Sequence, residues 1–333
     1  MSNPQLNILQ QYVQLSNQNG ATHVYRIAHK MGVFKTLLAG SGTLESIATA
    51  CQAPVRPLQL LLNALCEIGV VQKFADDYVL AQVMQLLTSV NADLGDQSWQ
   101  SLEDYLRPAA SGQRDALPED PTPYRARSHA LQWIDTPAAM ELVQLLEIGS
   151  RRKGLQVLDL GSGSAVWSLA IAHHDPESEI TAVDWPTPLE TAETAAAAIG
   201  MESRFKMIAG DYWQVPIPPG TFDLVILANE ILLYDDQQSR QLLHLAAEAL
   251  KETGEIAILE TVCCHEEARL TYALRELDLA LHWPRGSLRT VEQLEQLVQA
   301  VGLEVLQYES LAAPPHLTGL MLVGQQEPAR PAP

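Results

Sequence analysis

The chain has 333 residues, 47% apolar and 18% charged, with a formal net charge of −19 and a pI near 4.8. That length predicts about two domains, each large enough for its own core, and the apolar runs break before the roughly 20 residues a membrane span needs. So acidic a chain repels phosphate backbones, which argues against nucleic acid as partner, and the polar start Met1 to Leu6 lacks an export pattern, so a cytoplasmic protein is expected.

From about Gln5 to Leu87 the pattern is helical, with Val24, Ile27, Met31, Val33, Phe34, Leu37 and Leu38 at near-helical spacing before Gly40-Ser41-Gly42 ends the stretch. Thr43 is a plausible N-cap for the next helix, and Arg56 to Ile68 gives a third, rich in leucine and closed by Gly69. Two short extended runs, Val70 to Phe74 and Tyr78 to Leu80, flank the turn Asp76-Asp77 and read as a hairpin. Three helices and a hairpin make a winged helix. Its third helix carries a single basic residue, Arg56, so it is read as a protein-contact surface, and a homodimer through this half is expected. The alternative is packing within the chain itself.

Residues 91 to 125 are poor in periodic pattern, and Pro108, Pro118, Pro121 and Pro123 mark a linker or lid. A helix resumes around Ser128 to Ile148. From Leu155 onward short β-rich runs alternate with helices, the grammar of a parallel sheet flanked by helices. The runs are Leu155 to Leu160, Glu179 to Val183, Arg204 to Ile208, Phe222 to Leu227 and Glu255 to Glu260, with a late pair, Leu303 to Tyr308 and Thr318 to Val323. The expected fold is therefore α/β, a Rossmann-like seven-stranded sheet behind a mainly helical winged-helix domain, divided as 1–105 and 106–333.

The first of these strands runs into Asp159-Leu160-Gly161-Ser162-Gly163-Ser164-Ala165 and then an apolar helix. Glycines at such a turn let a ligand approach the backbone closely. Gly-rich turns also cap ordinary helices, so the context matters. The second strand ends in Asp184, about twenty residues on, where an acid can accept hydrogen bonds from ribose hydroxyls; capping of the next helix is the alternative. After the third strand, Gly210-Asp211-Tyr212-Trp213 places an acid for an adenine amino group and rings to flank the base, or else forms a surface turn. Cys51, Cys66, Cys263 and Cys264 show neither metal-ligand spacing nor a disulfide framework, and no metal is expected.

Val157 to Gly163, Val183-Asp184-Trp185-Pro186 and Gly210-Asp211-Tyr212 resemble the S-adenosylmethionine (SAM) motifs of the small-molecule O-methyltransferases, the family that includes plant caffeate and acetylserotonin enzymes. The resemblance spans nearly the whole chain and extends to Arg289-Thr290 at a helix start. It implies a winged-helix dimerisation half, SAM as methyl donor and S-adenosylhomocysteine as product. By that resemblance Gly161 and Gly163 line the methionine portion, Asp184 the ribose, and Asp211 with Tyr212 the adenine. The candidate cofactor set is Asp159, Gly161, Ser162, Gly163, Asp184, Trp185, Gly210, Asp211, Tyr212 and Asn229.

An alcohol or phenol acceptor must lose a proton, and in this family the base is a His shortly after the fourth strand. Here that position falls on Leu232 within Asn229 to Asp236. Of the two carboxylates that accompany the His, one corresponds to Glu260, and the other is replaced by Gln293. Candidates for another base are Glu230, Glu260, His265 and His282. Substrate contacts are expected from Trp99, Tyr105, Tyr124, Trp133 and Met140 on one side, and from His282 and Trp283 on the other. These suit an aromatic, polyketide-like or similar secondary metabolite, methylated on carbon, nitrogen or oxygen. The rival readings are a SAM-binding enzyme of the same fold that does not methylate, such as a cyclase or hydroxylase, and a winged-helix regulator.

Overall fold

The computed structural model describes residues 4–81, 84–85, 94–107, 132–262, 268–283, 285–314 and 317–325. The chain separates into two compact units, Met1–Ser101 and Leu102–Pro333.

The first unit contains α1 (Pro4–Lys30), α2 (Val33–Leu38), β1 (Gly42–Thr43), α3 (Leu44–Ala50), α4 (Val55–Glu67), β2 (Val71–Phe74), β3 (Asp77–Leu80) and α5 (Asp96–Trp99). Thr43 caps α3 as expected, its hydroxyl accepting the Ser46 amide. The expected hairpin is β2 and β3, in register from Val71 opposite Leu80 to Phe74 opposite Asp77. Gly42 and Thr43 add a third strand beside β3; two residues carry no periodicity, so the sequence did not reveal it. In α4 the residues Leu58, Leu62 and Leu65 are buried with Phe34, Ile47 and Tyr78, one helix face in the core. Leu60 faces outward, as do Ile8, Leu9, Tyr12, Val13 and Leu15 of α1.

The second unit has α6 (Leu102–Leu106), a 3-10 turn (Gln132–Asp135) and α7 (Thr136–Leu145), then β4 (Gln156–Leu160), α8 (Val166–His174), β5 (Glu179–Asp184), α9 (Pro186–Ala198), β6 (Phe205–Ala209) and β7 (Phe222–Ala228). A second 3-10 turn (Ile231–Leu233) leads to α10 (Asp236–Ala249), β8 (Leu250–Thr261), α11 (Arg269–His282), α12 (Val291–Ala300), β9 (Leu303–Ser310) and β10 (Thr318–Gln325). The seven strands form one sheet in the order β6-β5-β4-β7-β8-β10-β9, parallel except for β10, which runs antiparallel to both its neighbours. All seven expected strands are present, β8 beginning at Leu250 rather than Glu255.

Helices cover both faces, because strand side chains alternate. Val157, Leu224 and Ile226 pack with Trp167, Ile171 and Leu189 on one face, while Leu158, Val225 and Leu227 pack with Leu242, Leu279 and Leu294 on the other. Chain order climbs outward from β4 to β6 and then returns with β7 at the other side of β4, so the switch point lies between β4 and β7. Ligands of such sheets bind at the carboxyl ends of the strands beside that switch. No helix among the described residues is long and apolar enough to cross a membrane.

Candidate active site

The turn after β4 is built around left-handed backbone at Gly161 (φ 70°) and Gly163 (φ 56°). The Gly161 amide donates to the Val183 carbonyl at 2.9 Å, tying the turn to the end of β5. Asp184 then braces it, one oxygen accepting the Gly163 amide at 2.8 Å and the other its own neighbour's amide, Trp185 N, at 2.7 Å. Asp184 does not cap α9, whose N-cap is Trp185. Gln132, which lies outside every sequence motif of the site, accepts both the amide and the hydroxyl of Ser164 at 2.8 and 2.9 Å.

Asp159 lies on the α8 face of its strand, where Ser168 donates to it at 2.5 Å. Burial pushes its carboxyl up to about 7, with the Ser168 hydrogen bond opposing and Asp184's charge adding to the rise. It is therefore turned to the helix beneath the turn. Ser162 Oγ is buried with no hydrogen-bond partner among the described residues. Trp185 is exposed at the rim, and Gly210 (φ 140°) leads into Asp211, which is half-buried and accepts the Trp213 amide and the Gln214 side chain. Tyr212 is buried, stacked at a tilt beside Trp213, and its hydroxyl donates to Glu230 at 2.7 Å. Asn229 accepts the Thr261 hydroxyl at 2.9 Å, so its side chain is directed to β8.

Beyond β7, the segment from Ile231 to Asp236 is held from three directions. Glu260, ending β8, accepts the Ile231 amide at 2.8 Å. Arg289, itself buried, donates to the carbonyls of Ile231 and Tyr234 and to Asp236. The indole of Trp283 donates to the Leu233 carbonyl, and the Ser287 amide to that of Leu232. Leu232 is buried in the apolar cluster of that sheet face. Gln293 completes a capping box with Thr290 at the start of α12. Sequence reasoning missed Arg289 as the brace of this segment, although its buried guanidinium meets two carbonyls there.

Among the candidate substrate residues, Trp133 and Met140 are half-buried against the α7 and α8 core, and His282 lies 3.5 Å from Asp278 one turn back on α11. Trp99 and Tyr105 are half-buried. His265 and Tyr124 lie outside the described residues.

The O-methyltransferase domain family matches residues 131–304. The chain is 25% identical over 256 residues to 3-hydroxy-5-methyl-1-naphthoate 3-O-methyltransferase of Streptomyces sahachiroi, covering 72% of this chain and 73% of that protein. It is 29% identical over 125 residues to L-tyrosine C(3)-methyltransferase of Streptomyces lavendulae, 38% of this chain and 33% of that one. The solved structure of human N-acetylserotonin methyltransferase in complex with SAM shares the fold, with a TM-score of 0.70 at 18% identity over 98% of this chain and 99% of that one. With the family matched over more than half its length, the chain belongs to the O-methyltransferases, enzymes that take their methyl group from S-adenosylmethionine.

Proposed function

We propose that this enzyme methylates a small, largely apolar aromatic or polyketide-like metabolite by a route that does not use the family's histidine base, with carbon or nitrogen favoured as acceptor. The carrying observation is the buried Leu232 at the base position, in a backbone segment fixed by Glu260 and Arg289. An electron-rich ring carbon or a free amine attacks first and loses its proton afterwards, so it needs no base for activation; proximity and alignment supply the rate. The similarity to one oxygen and one carbon methyltransferase is compatible with either acceptor class.

The residues present suit the cofactor. A Cβ on Gly161 would overlap the Glu230 carboxyl, so only glycine lets the turn and that carboxyl pack together at the end of β4, and the Ser162 hydroxyl, buried without a hydrogen-bond partner among the described residues, has room in its chemistry for a ligand contact. Gly161, Ser162 and Gly163 would hold the methionine portion, Asp184 the ribose, and Asp211 with the Tyr212 and Trp213 rings the adenine. Asp159 would serve indirectly, by fixing the turn on α8.

Residues 1–105 are proposed as the winged-helix dimerisation domain and 106–333 as the catalytic domain, in a protein that works in the cytoplasm. Leu9 and Val13, two of the outward apolar residues of α1, border a groove of about 550 Å³ shared with Ile68, a surface suited to a second copy.

The test is product analysis with SAM and a panel of hydroxylated and aminated aromatic acceptors, with the new methyl mapped by NMR. A carbon- or nitrogen-methyl product released with S-adenosylhomocysteine is expected. Oxygen methylation that collapses in Glu260→Gln would overturn the base-free route, and turnover that requires SAM yet releases no S-adenosylhomocysteine would favour the non-methylating class.

A further inference from the structure

Glu230 lies outside the three cofactor motifs quoted for the family resemblance, yet it stands at the switch point of the sheet. β4 and β7 are hydrogen-bonded neighbours, and the turns beyond them meet. Asn229 takes left-handed backbone (φ 54°), uncommon for a residue with a Cβ. It is pinned there by its amide on the Leu259 carbonyl at 2.8 Å and its side chain on Thr261. That turn delivers Glu230, 3% exposed, across to β4, where its carboxyl group fills the space a side chain on Gly161 would need. From the opposite side the Tyr212 hydroxyl donates to Oε2 at 2.7 Å and meets the Tyr234 hydroxyl at 2.5 Å. One carboxyl group thus touches both the glycine turn after β4 and the aromatic loop after β6.

On the cofactor reading above, those two elements hold the methionine and adenine ends of SAM. In its covalent structure the sulfur lies between them. A carboxylate buried at that place costs free energy unless it is hydrogen-bonded and paired. A neighbouring acid makes the local field more negative: Asp184 braces the same glycine turn, and its charge is felt by Asp159 at the base of that turn. A cationic centre is favoured here and an anionic one opposed. Independently, the buried Ser162 hydroxyl in the same turn, without a hydrogen-bond partner among the described residues, points to a ligand against this wall.

Resting on that reading, we infer that the Glu230 carboxylate is the counter-charge of the cofactor's sulfonium, so that the site holds charged SAM in preference to neutral S-adenosylhomocysteine. The ammonium is common to both molecules and gives no such preference. The sulfonium is present only before transfer, so loss of the methyl group removes the charge that Glu230 matches and weakens the hold on the spent cofactor. Glu230 is in this account a cofactor-selecting residue, and the Tyr212 hydroxyl its positioning partner.

The test is calorimetric titration of the full chain with SAM, with S-adenosylhomocysteine, and with an analogue carrying an amine in place of the sulfonium. Wild type is expected to bind the two cations about tenfold or more tighter than the neutral product, the scale of one charge-assisted contact. Glu230→Gln should weaken SAM by about that factor and leave S-adenosylhomocysteine within about twofold. Glu230→Asp, which keeps the charge, should retain a preference for SAM. Equal affinity of wild type for SAM and S-adenosylhomocysteine overturns the inference whether or not the variants fold. So does a parallel loss of both ligands in a Glu230→Gln protein whose ligand-free melt matches wild type, since the residue then shapes the site without selecting charge. Wild type binding neither nucleoside would instead overturn the cofactor reading on which the inference rests.

Discussion

Glu260 Oε1 accepts the Ile231 amide at 2.8 Å and the Leu232 amide at 3.4 Å, so an acid at the end of β8 holds the backbone of the turn where the family resemblance leads one to expect the base. Burial pushes this carboxyl up to about 8, against the lowering by the two amides and Arg289 and with the charge of Glu230 adding to the rise. Near neutral pH it is therefore largely protonated, a poor general base but a sound brace.

The linkage has an unusual sign for an acid. The unfolded chain releases this proton near 4.5, while the folded chain keeps it to about 8. Folded protein binds more protons across that window, so this group's contribution to stability is present below about 4.5 and is lost as pH rises to about 8. Glu260→Gln keeps the acceptor oxygen and removes the titration. Thermal melts at pH 5.5, 7 and 8.5, with wild type and variant compared at each pH, should show wild type losing ground to the variant as pH rises. Parallel curves would mean that the carboxyl is ionised in both states. The difference between the two proteins cancels Asp159, which titrates in both.

Much of this site is readable in the sequence because glycine turns and strand-end acids recur at set spacings. Gly161, Gly163 and Asp184 do come together at the ends of β4 and β5. Two features are not local and were not readable. Tyr212 reaches Glu230 only because the sheet order brings β7 back beside β4, and Arg289 reaches the Ile231 carbonyl from a segment 58 residues away. Asp159 was grouped with the ligand contacts by its motif, but side-chain alternation along β4 puts it on the α8 face with Ser168. Gln293 stands where a catalytic partner was expected and is engaged in a helix cap, a role its spacing from Thr290 signals in retrospect.

Asp184→Ala removes the acceptor of the Gly163 amide along with the proposed ribose contacts. Loss of charge-assisted hydrogen bonds to ligand should weaken SAM and S-adenosylhomocysteine together, by roughly a hundredfold. Calorimetry reads the affinities, and a ligand-free melt reads the share due to the slackened turn. Unchanged affinity for both would remove Asp184 from the cofactor site.

The outward apolar face of α1 gives a prediction for assembly. Leu9 and Val13 are 59% and 49% exposed and line the same groove. Leu9→Glu with Val13→Glu should convert a homodimer to monomer in sedimentation velocity at micromolar concentration, with little change in the far-ultraviolet spectrum. A wild-type monomer under the same conditions would sink the dimer proposal.

Gly161→Ala tests the cradle itself through two separable costs. The left-handed φ of 70° strains any residue with a Cβ, by about 1–2 kcal/mol. The Cβ also collides with the Glu230 carboxyl, which must move and give up its Tyr212 hydrogen bond. Urea denaturation should therefore show Gly161→Ala costing more in the wild-type background than in Glu230→Ala, where only the backbone strain is left. A coupling of roughly 1 kcal/mol between the two substitutions is expected, the range for residues in contact. Strict additivity would show that the carboxyl moves aside freely, and that Gly161 is required by its backbone conformation alone.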